Sequence, residues 1–281
     1  MTLLDSSRVN RSIAPDPCTT PRATAVDHHA GAGAATPAIS INRVSRAFGA
    51  GAQRIVALDG VDLTVQRHEF VSLLGASGCG KSTLLNILAG LDRPSAGSAA
   101  VDGRVGLMFQ ESALFPWLTV RKNVETALRL RGMPRRERTG RADQLLESVH
   151  LAGFGDRRPH ELSGGMRQRA ALARALAQGA EVLLMDEPFG ALDAITREIL
   201  HGEVERQWSE HALTIVFVTH DVREAVRLGD RVVLLSSRPG RVVAQFDVDL
   251  ERPRSLDSAD VNELASAITA ELHREVRRHA G

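Results

Sequence analysis

Val61, Leu63 and Val65 alternate with polar neighbours, the period-two pattern of a strand with one face buried. Phe70-Val71-Ser72-Leu73-Leu74 is instead a continuous apolar run that stops at a glycine-rich loop. Leu84, Leu85, Ile87 and Leu88 then recur at helical spacing, and Gly90 supplies a C-terminal stop. Further buried strands are predicted over Val105–Phe109, Val182–Met185, Leu213–Val218 and Val232–Leu235. Helical stretches between several of them predict an α/β fold whose mostly parallel sheet is covered by helices. From about Glu111 to Glu161 strands disappear and Val120–Leu130 and Arg141–Val149 read as helices, a candidate inserted helical subdomain. Val261, Leu264, Ile268, Leu272 and Val276 predict a closing amphipathic helix within an extension over 251–281. Residues 1–37 show no periodicity and are rich in Ala, Pro, Thr, Ser and Gly, so a disordered tail is expected there.

Composition changes this picture little. The 281 residues are 43% hydrophobic and 25% charged, enough for a core without disulfide or metal staples. A formal charge of +1 gives no reason to expect a nucleic-acid partner. Cys18 and Cys79 are the only cysteines and lie in unlike contexts, which points to a reducing compartment. No stretch approaches the roughly 18 apolar residues of a membrane span, and Asp5 with its polar neighbours does not resemble a signal peptide.

Gly75-Ala76-Ser77-Gly78-Cys79-Gly80-Lys81-Ser82 fits G-x-x-x-x-G-K-[ST], set between a predicted strand and a predicted helix that continues through Thr83. Glycines let consecutive backbone N–H groups turn inward around phosphate oxygens, and the helix N-terminus adds partial positive charge. Lys81 is placed to reach β- and γ-phosphates, and the Ser82 hydroxyl to hold Mg²⁺. The chain has only two lysines, Lys81 and Lys122, against 33 arginines, so a lysine at this position is not incidental. Cys79 contributes backbone to such a cradle and needs no redox role.

Val182–Met185 ends in Asp186-Glu187. A strand beside the phosphate-loop strand would deliver Asp186 to the Mg²⁺ and leave Glu187 to polarise a water as general base. The plain alternative is a helix cap. His220 closes the Thr214–Thr219 strand and is a candidate γ-phosphate contact, though a lone histidine is more often structural.

Leu162-Ser163-Gly164-Gly165-Met166-Arg167-Gln168-Arg169 joins these pieces. It resembles the LSGGQ signature of the ABC transporter ATPase family, with Met166 in place of the usual glutamine. The resemblance extends over residues 38–250. It implies an ABC ATPase fold, with an antiparallel β portion near the N-terminus and a helical subdomain at about 111–165. By that resemblance Gln110 is the glutamine that senses Mg²⁺ and the permease, and Ala191-Leu192-Asp193 is the D-loop. His220 is then the switch histidine, and Phe48 replaces the family's adenine-stacking tyrosine, since the chain contains no tyrosine. Ala76 and His68 replace a common proline and a common glycine without altering a phosphate-contacting group.

The resemblance further implies ATP and Mg²⁺ as ligands. The expected assembly is a head-to-tail homodimer in which Ser163, Gly164 and Gly165 of one copy cap the nucleotide of the other. Two transmembrane permease subunits and, through them, a periplasmic solute-binding protein complete it, at the cytoplasmic face of a bacterial inner membrane. Leu114-Phe115-Pro116-Trp117-Leu118-Thr119-Val120, Ser237-Arg238-Pro239-Gly240-Arg241 and Asp249-Leu250-Glu251-Arg252-Pro253-Arg254 are similar to the importers of nitrate, taurine and aliphatic sulfonates. Aliphatic sulfonate is the expected cargo, with taurine and nitrate as alternatives. Two rivals are a soluble ABC-type ATPase acting on DNA or ribosomes and a P-loop small-molecule kinase. The first lacks a second cassette and a basic stripe here, and the second gives Ser163–Met166 no task.

Overall fold

The computed structural model describes residues 36–279, so the tail expected over 1–37 lies outside the described residues except for its last two. Strands β1 (Ile39–Phe48), β2 (Ile55–Val65) and β4 (Ala96–Val101) form an antiparallel sheet ordered β2-β1-β4. In β2 the alternation from Val61 to Val65 is realised, with Val61, Leu63 and Val65 buried and Asp62 and Thr64 exposed. No hydrophobic pattern announces β4, because its sequence Ala-Gly-Ser-Ala-Ala-Val is small rather than apolar. Pairing with the open edge of β1 makes it a strand.

A second sheet is ordered β5 (Val105–Met108), β6 (Val182–Asp186), β7 (Thr214–Val218), β3 (Phe70–Leu74), β8 (Arg231–Leu235) and β9 (Val242–Asp247). Only β9 runs antiparallel. Strands β3, β6 and β7 are buried throughout, which explains their unbroken apolar runs. Phe70, Leu183, Met185, Ile215 and Phe217 face one core, shared with the helical region. Their alternates Val71, Leu73, Val182, Leu184, Val216 and Val218 face a second core, under the antiparallel sheet and α1 (Lys81–Leu88).

The sheet order corrects one expectation. β6 is not beside the phosphate-loop strand, because β7 is inserted between β3 and β6. Val218 pairs with both Leu73 and Asp186, so Asp186 lies two strand spacings, roughly 10 Å, across the sheet from the loop's own strand. Ser82 at the start of α1 bridges that gap.

Helix α2 (Val120–Leu130) keeps its predicted bounds, and the Thr119 side chain caps it by accepting from the Lys122 N–H. Helix α3 (Arg135–Ser148) begins six residues before its expected start, because its first turns are all polar and Pro134 opens it. Both pack against α4 (Gly164–Ala177). Helices α5 (Ala194–His211), α6 (Val222–Leu228) and α7 (Ala259–His279) follow. In α7 Val261, Ala265 and Ile268 are buried in a third core with α6 and β8, whereas Val276 is 40% exposed.

Candidate functional site

Strands β3, β6 and β7 end on the same edge of the parallel sheet, where open α/β folds bind ligands. The loop after β3 turns through Gly78 (φ 74°) and Gly80 (φ 101°) into α1. A Cβ on Gly80 would lie 2.7 Å from Leu58 Cδ2 and 2.8 Å from the Ala57 carbonyl oxygen. Gly80→Ala is therefore expected to cost about 2–4 kcal/mol and to open the loop, checked by denaturant unfolding alongside nucleotide binding.

Within the loop the Lys81 ammonium donates to the Gly75 oxygen at 2.7 Å and the Ala76 oxygen at 3.0 Å. Lys81 is 6% exposed and forms no ion pair among the described residues. A buried cation held by two carbonyl oxygens and the Cys79 sulfur at 3.8 Å, all uncharged, is an electrostatic demand for an anion, so the cradle fits a polyphosphate. Cys79 lies under Gly75, and burial pushes its thiol above the ordinary range, which suits a packing role.

Asp186 ends β6 nearly buried and shares a hydrogen bond with Ser82. Burial pushes its carboxyl up, and the Ser82 hydrogen bond only partly opposes that. An aspartate with a raised pKa is destabilised as the anion at neutral pH. Asp186→Asn is expected to raise the thermal midpoint of the ligand-free protein at neutral pH, with the gain shrinking as pH falls and the aspartate protonates. A carboxylate and a hydroxyl beside a phosphate cradle are the oxygen donors that Mg²⁺ takes, so Ser82 and Asp186 fit that ion.

Glu187 follows with φ 45°, a left-handed conformation that a glutamate adopts only when its surroundings enforce it. Here its N–H is held by the Val218 oxygen at 2.9 Å. Its Oε2 accepts from Gln110 Nε2 at 3.3 Å and lies 3.3 Å from His220 Nδ1. Gln110, Glu187 and His220, from three separate chain segments, thus converge on one carboxylate. The Gln110 carbonyl oxygen in turn accepts from Gln168 Nε2 of α4 at 3.3 Å. Gln168 of α4, Gln110 and Glu187 thus form one connected chain of hydrogen bonds.

Phe48, Ser77, Gly78, Gly80, Lys81, Ser82, Thr83, Gln110 and Glu187 line one cleft of about 450 Å³. Phe48 is 43% exposed at its mouth, with the Arg46 guanidinium 4.5 Å from the ring centroid. Gly75, Ala76 and Cys79 shape the loop from behind rather than facing the cleft. Asp193 and Ser163 lie elsewhere: each caps its own helix, accepting from Thr196 N–H at 3.0 Å and Met166 N–H at 3.2 Å. Ser163 and Gly164 are exposed, Gly165 is half-buried, and none of the three reaches the cleft of its own chain.

Sequence reasoning missed Ile55, Ala57 and Arg238, which also line the cleft. Arg238 Nε donates to the Gly78 oxygen at 3.1 Å. Its loop is held in place where Gly240 N–H donates to the Ala57 oxygen and Arg241 pairs with Asp59. The run Ser237–Arg241 reads in sequence as a turn, and only the β3–β8 pairing brings it to the phosphate loop. Arg238→Ala is expected to weaken nucleotide binding roughly 3–10-fold, read by titration, because one hydrogen bond and one cation leave the cleft rim.

Residues 58–190 match the ABC transporter family. The chain is 45% identical to the taurine import ATP-binding protein TauB of Rhizobium johnstonii, over 85% of this chain and 95% of that protein. It is likewise 45% identical to the aliphatic sulfonates import ATP-binding protein SsuB of Bacillus licheniformis, over 78% and 88%. Among solved structures, the dimeric ATP-binding cassette MJ0796, bound to ADP and Pi in a post-hydrolysis state, is similar with a TM-score of 0.71. That match has 34% identity and covers 76% of this chain and all of the other.

Proposed function

The chain belongs to the ABC transporter family, and on that premise we propose that it is the ATP-hydrolysing subunit of an importer of small oxyanions, with aliphatic sulfonates as cargo. The observation that carries the reading is a phosphate cradle whose buried Lys81 has only uncharged partners, set beside a carboxylate held by Gln110 and His220. The loop N–H groups and Lys81 bind the phosphates of ATP, and Phe48 offers its ring to adenine. Ser82 and Asp186, with Gln110, would hold Mg²⁺, which supplies charge neutralisation at the transferring phosphoryl group. Glu187 takes the proton of the attacking water, and His220 and Gln110 fix its orientation.

Exposed Ser163 and Gly164, with Gly165, open a helix whose first residues do not line the cleft of their own chain. A head-to-tail homodimer gives that helix N-terminus a nucleotide to cap, and Asp193 then lies at the crossing between copies. No helix among the described residues is long and apolar enough to cross a membrane, and in this reading permease subunits supply the transmembrane path. An apolar groove of about 650 Å³ lined by Leu91, Leu107, Phe109, Phe115 and Leu130 offers the docking place, next to Phe115-Pro116-Trp117. A periplasmic binding protein on the far side of the permease would complete the importer at the cytoplasmic face of the inner membrane. Identities of 45%, 45% and 46% to taurine, sulfonate and nitrate import subunits keep taurine and nitrate as the alternative cargoes.

The test is ATPase rate in nanodiscs with and without the permease encoded beside this chain, followed by uptake of labelled ethanesulfonate, taurine and nitrate. Permease stimulation with ethanesulfonate uptake supports the reading. Unstimulated ATPase removes transport from it, and uptake of another anion alone replaces the cargo.

A further inference from the structure

A second groove, about 620 Å³, runs between α2 and α3 and shares Phe115 and Thr126 with the apolar groove. Four cations line it, Lys122, Arg129, Arg135 and Arg138, against one acid, Glu125. That acid is already committed: Lys122 Nζ lies 2.5 Å and Thr139 Oγ1 2.9 Å from its carboxylate. Burial pushes the Glu125 carboxyl up, but these hydrogen bonds together with the charges of Lys122 and Arg121 outweigh it and hold the group below its usual range. Arg129 and Arg135 are exposed and form no ion pair among the described residues. Between Arg121 and Asp143 the chain places eight basic and three acidic side chains, in a protein whose total formal charge is only +1. Trp117 in its wall is 68% exposed, and Leu130 of the adjoining apolar groove is 79% exposed.

We propose that this groove binds the phosphate headgroups of an anionic bilayer, an inference that rests on the membrane-transport reading above. Exposed Trp and Leu interleaved with arginine is the composition of surfaces that sit at the headgroup level. Charge also selects lipid over permease as the partner. Cytoplasmic loops of membrane proteins carry excess Lys and Arg, which would repel this patch, whereas the cytoplasmic leaflet is anionic. The shared wall at Phe115 means that a permease segment seated in the apolar groove would bring the basic groove alongside the bilayer that holds it. The contact would then restrict how each cassette tilts beneath the permease.

The experiment is co-sedimentation of the full chain with phosphatidylcholine vesicles, with and without about 30% phosphatidylglycerol, at about 0.1 M salt, where charges act over about 10 Å. Binding is expected only to the anionic vesicles, with release at high salt. R129Q/R135Q should weaken it roughly 25-fold, about fivefold per arginine, while leaving basal ATPase activity unchanged, because neither residue lines the nucleotide cleft. Equal binding to neutral vesicles, or binding unaffected by the double substitution, overturns the inference. So does a double variant that binds vesicles normally yet loses permease stimulation in neutral detergent, which would make the groove a protein-docking surface. Failure of the transport reading shows separately, as ATPase unresponsive to the permease whatever the vesicles do.

Discussion

Glu187→Gln is expected to bind ATP with near wild-type affinity and to hydrolyse it at least about a hundredfold more slowly, the span typical of losing a general base. The amide keeps the shape of the carboxylate and can still meet Gln110 and His220, so the cleft stays assembled. What it loses is the ability to take a proton from water. Because binding survives while turnover stops, the variant should accumulate as an ATP-bound dimer, visible by size exclusion or light scattering. Single-turnover hydrolysis at more than a tenth of the wild-type rate would move the base role elsewhere. The companion His220→Ala should lower the rate with little change in binding, since His220 touches Glu187 rather than the phosphate loop.

Lys81→Ala should act on the other half of the reaction. The ammonium is buried and held by the Gly75 and Ala76 oxygens, so its removal takes away the cleft's innermost positive charge. A charge-assisted contact to phosphate amounts to about 1.5–3 kcal/mol, and affinity for ATP is expected to fall roughly 10–150-fold, with hydrolysis falling further. Two carbonyls also lose their donor, so thermal unfolding of the variant is needed beside titration with a fluorescent nucleotide. Lys81→Arg separates charge from shape: the planar fork restores charge but not the compact fit, so recovery should be partial. Unchanged ATP affinity in Lys81→Ala would exclude the loop as the phosphate site.

Several features are fixed by local chemistry alone. Gly75–Ser82 between an apolar run and a helical pattern specifies its own turn, because glycine adopts the positive φ of Gly78 and Gly80 without strain. Continuous apolar runs mark β3, β6 and β7, because strands buried on both faces need no alternation. Thr119 and the apolar spacing after it fix α2 to the residue. The acidic pair after β6 and the histidine after β7 are legible as candidates, since a strand end is where a side chain can face a ligand.

Tertiary structure decided the rest, and the reason is in each case a contact distant in sequence. Ala96–Val101 becomes a strand by pairing with β1, not through any propensity of its own. Parallel pairing has no local signature either, so the insertion of β7 between β3 and β6 cannot be read from the chain. That order brings Glu187 and His220 together, since Asp186 pairs with Val218 and each strand ends just before its functional side chain. Arg238 reaches Gly78 across 160 residues because β8 runs alongside β3. Local chemistry dictates which groups are present and which turns they need; the order of strands in the sheet dictates which of them meet.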